Sequence, residues 1–383
     1  MSLLEGAEGA EGAEGAEGAE GAEGAEGAEG AGRFRGAIAG ALIAHREGIV
    51  GSWIPGGNVT WPSGDLTIDD EKNLNRWDPR IRRFFFVSEL LSGLYFSVGN
   101  DEIATLWHID APTGDPPQRP CHKLVSMLRP DSNTLKAQLD LVNGWSDLRS
   151  DRAREIVAQM TPQYAFWSSV VPLYGARHRR TIELIQLVLQ LAKYAEFNFK
   201  HALCVRRPHE YSPQIQPIIQ TPIHGSLPSG HSTEAHAVAR VLYELASGGT
   251  APSAGPTAEL SQLLMNQAAR IAINRTVAGV HFPVDSMAGQ LLGLTVAEYF
   301  IKRSTDGNTS ETVDVWHFNG TSYPGSQDFS GRELFTAADG TRVSQAYAVK
   351  PKDPNNSTKD LICPVTGSKN LHWLWDLARK EWA

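Results

Sequence analysis

Cysteine is scarce in this sequence, which has only three among its 383 residues: Cys121, Cys204 and Cys363. Three cysteines this far apart in the sequence form neither a disulfide framework nor a zinc site. We therefore expect a protein without disulfide bonds, as is typical of the cytoplasm. Long apolar runs are missing too. The best candidate for a membrane span, residues 181–200, contains two glutamates and two lysines, whereas a span needs roughly 18–20 apolar residues. We therefore expect a soluble protein with no membrane span.

A strong positive charge is also absent. Residues 5–31 are nine repeats of Glu-Gly-Ala, and without their nine glutamates the net charge of −8 becomes +1. A nearly neutral body has no basic surface field, so we expect no nucleic-acid partner. Because the tract cannot bury apolar surface, we interpret residues 1–32 as a disordered tail or an artificial stretch. An artificial stretch would hide any native signal peptide, so a secreted or periplasmic location stays open beside the cytoplasm.

The remaining chain divides into three regions by composition and periodicity. Residues 33–76 are rich in glycine and proline and are predicted to form an irregular arm. Residues 77–303 are predicted to form a helical catalytic domain, because apolar residues recur three and four positions apart, including one or two helices over residues 80–109. Residues 304–383 are predicted to be an extension packed on this core, with strand-like pieces such as VDVWHF and a final helix. Nearly every strong periodic signal is helical, so the sequence predicts an all-α fold of bundled helices. Its clearest helices are predicted at 181–205, 232–247, 257–278 and 283–303.

Three separated stretches carry unusual polar residues at predicted helix boundaries. They are Lys200 with Arg207-Pro208, then Pro228-Ser229-Gly230-His231, then Arg275 with His281 and Asp285. The cationic side chains supply charge and donors suited to a tetrahedral oxyanion. A glycine at a helix start lets backbone N–H groups approach an anion, and the helix dipole favours negative charge there. Two imidazoles can act as nucleophile or ligand and as proton carrier. Each motif alone has a simpler interpretation, such as a helix cap, but together they predict an oxyanion pocket.

The order and spacing of these motifs resemble those of a known family. K-x6-R-P, P-S-G-H and R-x5-H-x3-D follow one another over residues 200–285. They are similar to the three-part signature of the vanadium-dependent haloperoxidases and the type 2 phosphatidic-acid phosphatase (PAP2) superfamily, which includes bacterial acid phosphatases. One departure is Asn274, where the family usually has serine. The resemblance implies a helical fold built on a four-helix core.

The resemblance also implies a role for each motif residue. Five residues would hold the oxygens of vanadate, or of phosphate in the same site, by charge and hydrogen bonds: Lys200, Arg207, Ser229, Gly230 and Arg275. His281 would be the axial ligand to vanadium or, in a phosphatase, the nucleophile that attacks phosphorus. His231 would be the general acid–base residue, and Asp285 would orient His281. Vanadate is therefore the expected cofactor.

Two chemistries fit one such pocket, because a phosphoryl group attacked by histidine passes near the geometry in which histidine-bound vanadate rests. Three features favour a haloperoxidase: the long helical region before Lys200, the lack of membrane spans, and His224. In haloperoxidases the position of His224 lines the halide side of the pocket and is a histidine in bromoperoxidases, which favours bromide or iodide over chloride. The simpler interpretation of His224 is a solvated loop residue.

Two other functions stay open beside the haloperoxidase. The segment around His281 looks as much like a soluble phosphatase that uses a phosphohistidine intermediate. A third hypothesis is an inactive, anion-binding family member, although a pure binder needs no acid–base imidazole. The expected partners are small molecules, namely hydrogen peroxide, a halide and an organic acceptor, or a phosphoester. A homo-oligomer also stays open.

Overall fold

A computed structural model describes residues 41–46, 48–50, 52, 66–111, 118–249, 256–307, 309–336 and 341–383. The predicted Glu-Gly-Ala tail and most of the predicted irregular arm lie outside these residues. The helices of the core and its flanks are α1 (Pro79–Ser92), α2 (Ser132–Trp145), α3 (Arg149–Ala158), α4 (Tyr164–Ser168), α5 (Arg179–Leu203), α6 (Pro208–Tyr211), α7 (Gly230–Ala246), α8 (Pro256–Val277), α9 (Pro283–Thr305) and α10 (Lys369–Arg379). Within the described part of the chain, none of the helices is long and apolar enough to cross a membrane.

Four of these helices form the centre of the molecule. Helix α7 packs against α5, α8 and α9, and α9 also packs against α5. All four match the predicted helices to within a few residues at each end, because their apolar periodicity is strong and their ends carry clear signals. Helix α7 begins after Ser229, whose side chain accepts a hydrogen bond from the backbone N–H of Ser232. Helix α9 begins with Pro283, at a position that needs no backbone donor.

Helices α7 and α9 approach each other closely because α9 has glycine at two positions of the contact. A Cβ atom at Gly289 would lie 2.6 Å from the carbonyl oxygen of Ser229, and one at Gly293 would lie still closer to that of Thr233. Real side chains do not reach such distances, so only glycine permits this spacing. The close approach places the start of α7 beside the start of α9, where the backbone N–H of Ser229 donates to the carbonyl of Asp285 at 2.9 Å.

The prediction of an all-α fold is wrong outside the helical core. The strands are β1 (Leu94–Val98), β2 (Ala104–Ile109), β3 (Cys121–Leu128), β4 (Ser310–Asp314), β5 (Trp316–Asn319), β6 (Ala348–Val349), β7 (Lys352–Asp353), β8 (Asn356–Asp360) and β9 (Ile362–Thr366). Five of them form a sheet in the order β1-β2-β3-β5-β6, in which β3 and β5 are parallel and the other pairs are antiparallel. Strand β4 pairs with β9, and β7 pairs with β8. The fold is therefore a helical core with mixed helical and sheet flanks.

The second half of residues 80–109 shows why the helical prediction failed there. Helix α1 ends at Ser92, and the chain continues as the antiparallel hairpin β1-β2. Its strands, LYFSV and ATLWHI, are rich in aromatic and β-branched residues, which favour a pleated surface. Gly99 and Asn100 supply the turn. Apolar residues in this stretch also recur at helical spacing, but strand pairing decides the outcome.

Candidate active site

Residues from all three motifs converge where α5 ends and α7 and α9 begin. The guanidinium of Arg207 lies at the centre of this region and is 1 % exposed. Its Nη1 donates to the carbonyl of Val280 at 3.0 Å and to Nε2 of His281 at 3.2 Å. Its Nε donates to the carbonyl of His224 at 3.1 Å. Lys200 Nζ lies 3.4 Å from the Gly225 carbonyl, which also accepts from Arg207 Nη2 at 3.5 Å. The first motif thus contacts the third motif directly.

His281 is held in one tautomer by groups on both sides of its ring. Arginine can only donate, so Nε2 of His281 presents its lone pair to Arg207. The hydrogen therefore sits on Nδ1, which lies 3.0 Å from Oδ2 of Asp285. The same Oδ2 accepts from the Ser226 hydroxyl at 2.5 Å and from the backbone N–H of Phe282 at 2.9 Å. The arrangement leaves Nε2 as the nucleophilic or ligating nitrogen.

Burial and nearby cations determine the charge on this pair. Burial lowers the pKa of His281 well below 6.5, and the positive charges of Arg207 and Lys200 lower it further. His281 is therefore neutral at physiological pH. Burial also raises the pKa of Asp285 to about 6, while the hydrogen bonds from Ser226 and Phe282 oppose that rise. The carboxylate form, which accepts the Nδ1–H, prevails at pH 7.

Arg275 offers hydrogen-bond donors that the described part of the protein does not use. The side chain lies at the end of α8 and is 1 % exposed. Its Nη2 donates to the carbonyl of Ile156 at 3.1 Å and to Oε1 of Gln159 at 2.9 Å. Its Nε and Nη1 are buried and have no acceptor among the described residues. Burial lowers the Arg275 pKa to about 10, which leaves the group charged at pH 7. A buried cation with unused N–H groups is suited to an anionic ligand.

His231 follows the first residue of α7, and the same Gln159 contacts it. Nε2 of His231 lies 3.1 Å from the backbone carbonyl of Gln159. A carbonyl can only accept, so Nε2 carries a hydrogen and Nδ1 is the nitrogen that takes up or releases a proton. Gln159 therefore contacts both Arg275, through its side chain, and His231, through its backbone. His231 is half-buried, whereas Gln159 is 1 % exposed.

The remaining predicted residues lie at the edge of the same region. Ser229 is fully buried as the N-cap of α7. Gly230 faces Glu196, since a Cβ at Gly230 would lie 2.7 Å from Oε1 of that carboxylate. His224 is not a freely solvated loop residue: its Nδ1 lies 3.3 Å from Arg207 Nη2, and its ring packs edge-on against Phe197 at 5.2 Å between centroids. The structure therefore brings every predicted site residue into one neighbourhood.

Three polar residues of this neighbourhood could not be selected by motif spacing. Glu196 precedes Lys200 by four positions on the buried side of α5, and a charged residue there was an available signal. Ser226 and Gln159 gave no signal. Ser226 lies in a loop, and Gln159 reaches the site from the end of α3, more than 70 positions before His231. Only the folded chain brings these two residues to the motifs.

A comparison with protein families agrees with the geometry. A family model described as the PAP2 superfamily matches residues 184–306, which extend from α5 to the end of α9 and include every motif residue. A search of curated proteins finds no match. Members of this superfamily are generally enzymes, among them phosphatases and haloperoxidases. The match covers the helical region that carries the three motifs, and it supports membership of the PAP2 superfamily for residues 184–306.

Proposed function

We propose that the protein is a vanadate-dependent haloperoxidase that oxidises bromide or iodide with hydrogen peroxide. The observation that carries the oxyanion site of this proposal is the pair of buried Arg275 N–H groups, Nε and Nη1, which have no acceptor in the described part of the chain. Gln159 links Arg275 to His231, which lies close enough to His281 to act on its pKa together with Arg207 and Lys200. Such a donor set fits a tetrahedral oxyanion beside a neutral imidazole.

The residues present fit vanadate by charge and by donor chemistry. Lys200, Arg207 and Arg275 would hold its oxygens, with further hydrogen bonds from Ser229 and the start of α7. His281 would ligate vanadium through Nε2, while Asp285 holds its Nδ1–H. Bound vanadate would supply an electrophilic centre that activates hydrogen peroxide toward a halide.

The chain's own imidazoles move protons and position the halide in this proposal. His231, with Nε2–H on the Gln159 carbonyl, accepts and returns a proton through Nδ1. His224 lies against Arg207 at the rim of the pocket, where the family resemblance places the halide side. A histidine there, in place of an aromatic residue, is the basis for expecting bromide or iodide.

The second candidate is a phosphatase, and the state of His281 favours it specifically. A neutral imidazole with Nδ1–H on a carboxylate is an activated nucleophile. Nε2 would attack phosphorus, and the leaving alkoxide would take a proton from His231. Water would then cleave the phosphorus–nitrogen bond and regenerate His281. The third candidate, a protein that only binds anions, uses the same cations without turnover.

Two assays on purified protein separate these candidates. One measures peroxide-dependent bromination of a phenolic dye with and without added vanadate, and the other measures hydrolysis of p-nitrophenyl phosphate. His281→Ala is the inactive variant, and His201→Ala is the matched control, because His201 is exposed on the same helix as Lys200. Vanadate-dependent bromination that His281→Ala abolishes supports the haloperoxidase. Ester hydrolysis alone selects the phosphatase, and neither activity selects the binding protein.

A further inference from the structure

A second cavity lies between α5, α7 and the segment around α4, next to the oxyanion pocket. Its walls are mostly apolar or aromatic, and they include Tyr164, Trp167, Leu189 and Val238. The slot is narrow, with a cavity volume of about 40 Å³, and it opens to solvent, so an organic group in it would extend into the open mouth. We call this cavity the Lys193 slot, after the one lysine that lines it.

Lys193 is the unusual member of these walls. Its side chain is 7 % exposed, and its Nζ has no hydrogen-bond acceptor within the described ranges of the chain. Leaving such a group without a partner costs free energy, because burial removes water that would otherwise solvate it. Glu234 also lines the slot but has an interaction partner of its own. The unmatched group in the slot is therefore a donor, and its natural complement is an anion.

The slot and the oxyanion pocket lie along the same faces of two helices. On α5, Lys193, Glu196 and Lys200 are separated by three and four positions, which places them on one face. On α7, His231 and Glu234 are three positions apart in the same way. Lys193 and Lys200 are seven positions apart on the helix, a rise of about 10 Å. The slot thus begins about two helical turns from the cations of the pocket.

Contacts in the segment after α3 also connect the two cavities. Gln163 lines the slot, and its side-chain Nε2 donates to the Gln159 carbonyl at 3.2 Å. That carbonyl is the one that Nε2 of His231 contacts. Gln163, in the wall of the slot, therefore hydrogen-bonds the same Gln159 carbonyl that orients His231.

We propose that the Lys193 slot binds the organic part of the substrate, an apolar group that ends in a carboxylate or a similar anion, about two helical turns along α5 from Lys200. The inference rests on the proposed function, since it names the substrate class of that same site. The group is the organic acceptor of a haloperoxidase or the alcohol portion of a phosphoester. The apolar walls hold its hydrocarbon, and Lys193 Nζ pairs with its terminal charge.

The test compares 4-phenylbutyrate with its uncharged analogue 4-phenylbutyramide by titration calorimetry. The wild-type protein should bind the acid at least about tenfold more tightly than the amide, the size expected for one charge-assisted hydrogen bond. Lys193→Met should remove this preference and leave amide binding unchanged. Lys136→Met is the matched control, because Lys136 is exposed on α2 and outside the slot. Equal binding of acid and amide by the wild-type protein overturns the proposal, whether or not any variant folds.

The melting temperature distinguishes a ligand-binding Lys193 from a structural one. Phosphate binding distinguishes a failure of the slot proposal from a failure of the proposed oxyanion pocket. If Lys193 were only structural, Lys193→Met would destabilise the fold, whereas we expect its melting temperature to be equal or higher because a buried unpaired cation is removed. A lower melting temperature together with a retained acid preference would contradict the assigned role. Inorganic phosphate is titrated on the same samples. Wild-type protein that binds no phosphate contradicts the proposed function, whereas unchanged phosphate binding with no acid preference contradicts the slot alone.

Discussion

Replacing Arg275 by lysine changes the buried donors of the oxyanion pocket while keeping their charge. The arginine has two N–H groups, Nε and Nη1, that lack an acceptor in the described protein and are available to an anion. A charge-assisted hydrogen bond contributes about 1.5–3 kcal/mol. Lysine can retain one such bond but cannot reproduce the planar fork. We therefore expect Arg275→Lys to weaken oxyanion binding by roughly 10- to 100-fold.

Titration calorimetry with inorganic phosphate and with vanadate measures this loss directly. Arg275→Met, which removes both bonds and the charge, should weaken binding by roughly 100- to 10,000-fold. Arg270→Lys is the matched control on the same helix, because Arg270 pairs with Glu155 at the surface and lies outside the pocket. Circular dichroism establishes that each variant is folded. A dissociation constant for Arg275→Lys within threefold of the wild-type value would refute the assignment of these donors to the anion.

Three further outcomes follow from the described geometry. His231→Ala should lower turnover of either proposed reaction by roughly 100-fold or more, the usual size of an acid–base contribution. The affinity for vanadate, measured by calorimetry, should change by less than threefold. Loss of vanadate binding would contradict the acid–base role of His231. Burial raises the pKa of Asp285 from 3.8 to about 6 in the protein without a bound anion. Because the folded state then holds a proton that the unfolded state has released, the free energy of unfolding falls by on the order of 3 kcal/mol as pH rises from 4 to 6. Asp285→Asn should abolish that decline in thermal melts, and parallel pH profiles for both proteins would show that the decline has another source. In a denaturant titration, Gly293→Ala should lower the unfolding free energy by about 1–3 kcal/mol, because its Cβ would meet the Thr233 carbonyl. Gly144→Ala is the control, since Gly144 faces open space on α2, and it should be neutral or stabilising.

The sequence was sufficient to predict the helical core and to select the three motifs that the fold brings close together. Helices α5, α7, α8 and α9 have strong apolar periodicity, and residues such as Ser229 and Pro283 define their starts. The sheet could not be predicted in the same way. Strand β5 has four residues, and its position depends on pairing with β3, almost 200 positions earlier. Short strands have little local signal, so distant partners decide their structure.

The same limit applies to the site. Lys200, His281 and Asp285 could be selected because their motif spacing is visible along the chain. Gln159 could not, since nothing in its local sequence distinguishes it from a surface glutamine at a helix end. Its importance comes from contacts with Arg275 and His231, which only the packing of α3 beside α8 creates.

The parallel pairing of β3 with β5 has a consequence for protein synthesis. Strand β3 pairs with β2 on one side, but its other edge is completed only by β5, at residues 316–319. On the ribosome, the hairpin and β3 emerge long before that partner, and an uncovered strand edge is a template for pairing between nascent chains. A premature stop after α9 would leave the motif residues intact and this edge permanently open. Expression trials should therefore find such shortened products in inclusion bodies, even though they contain all the chemistry of the pocket.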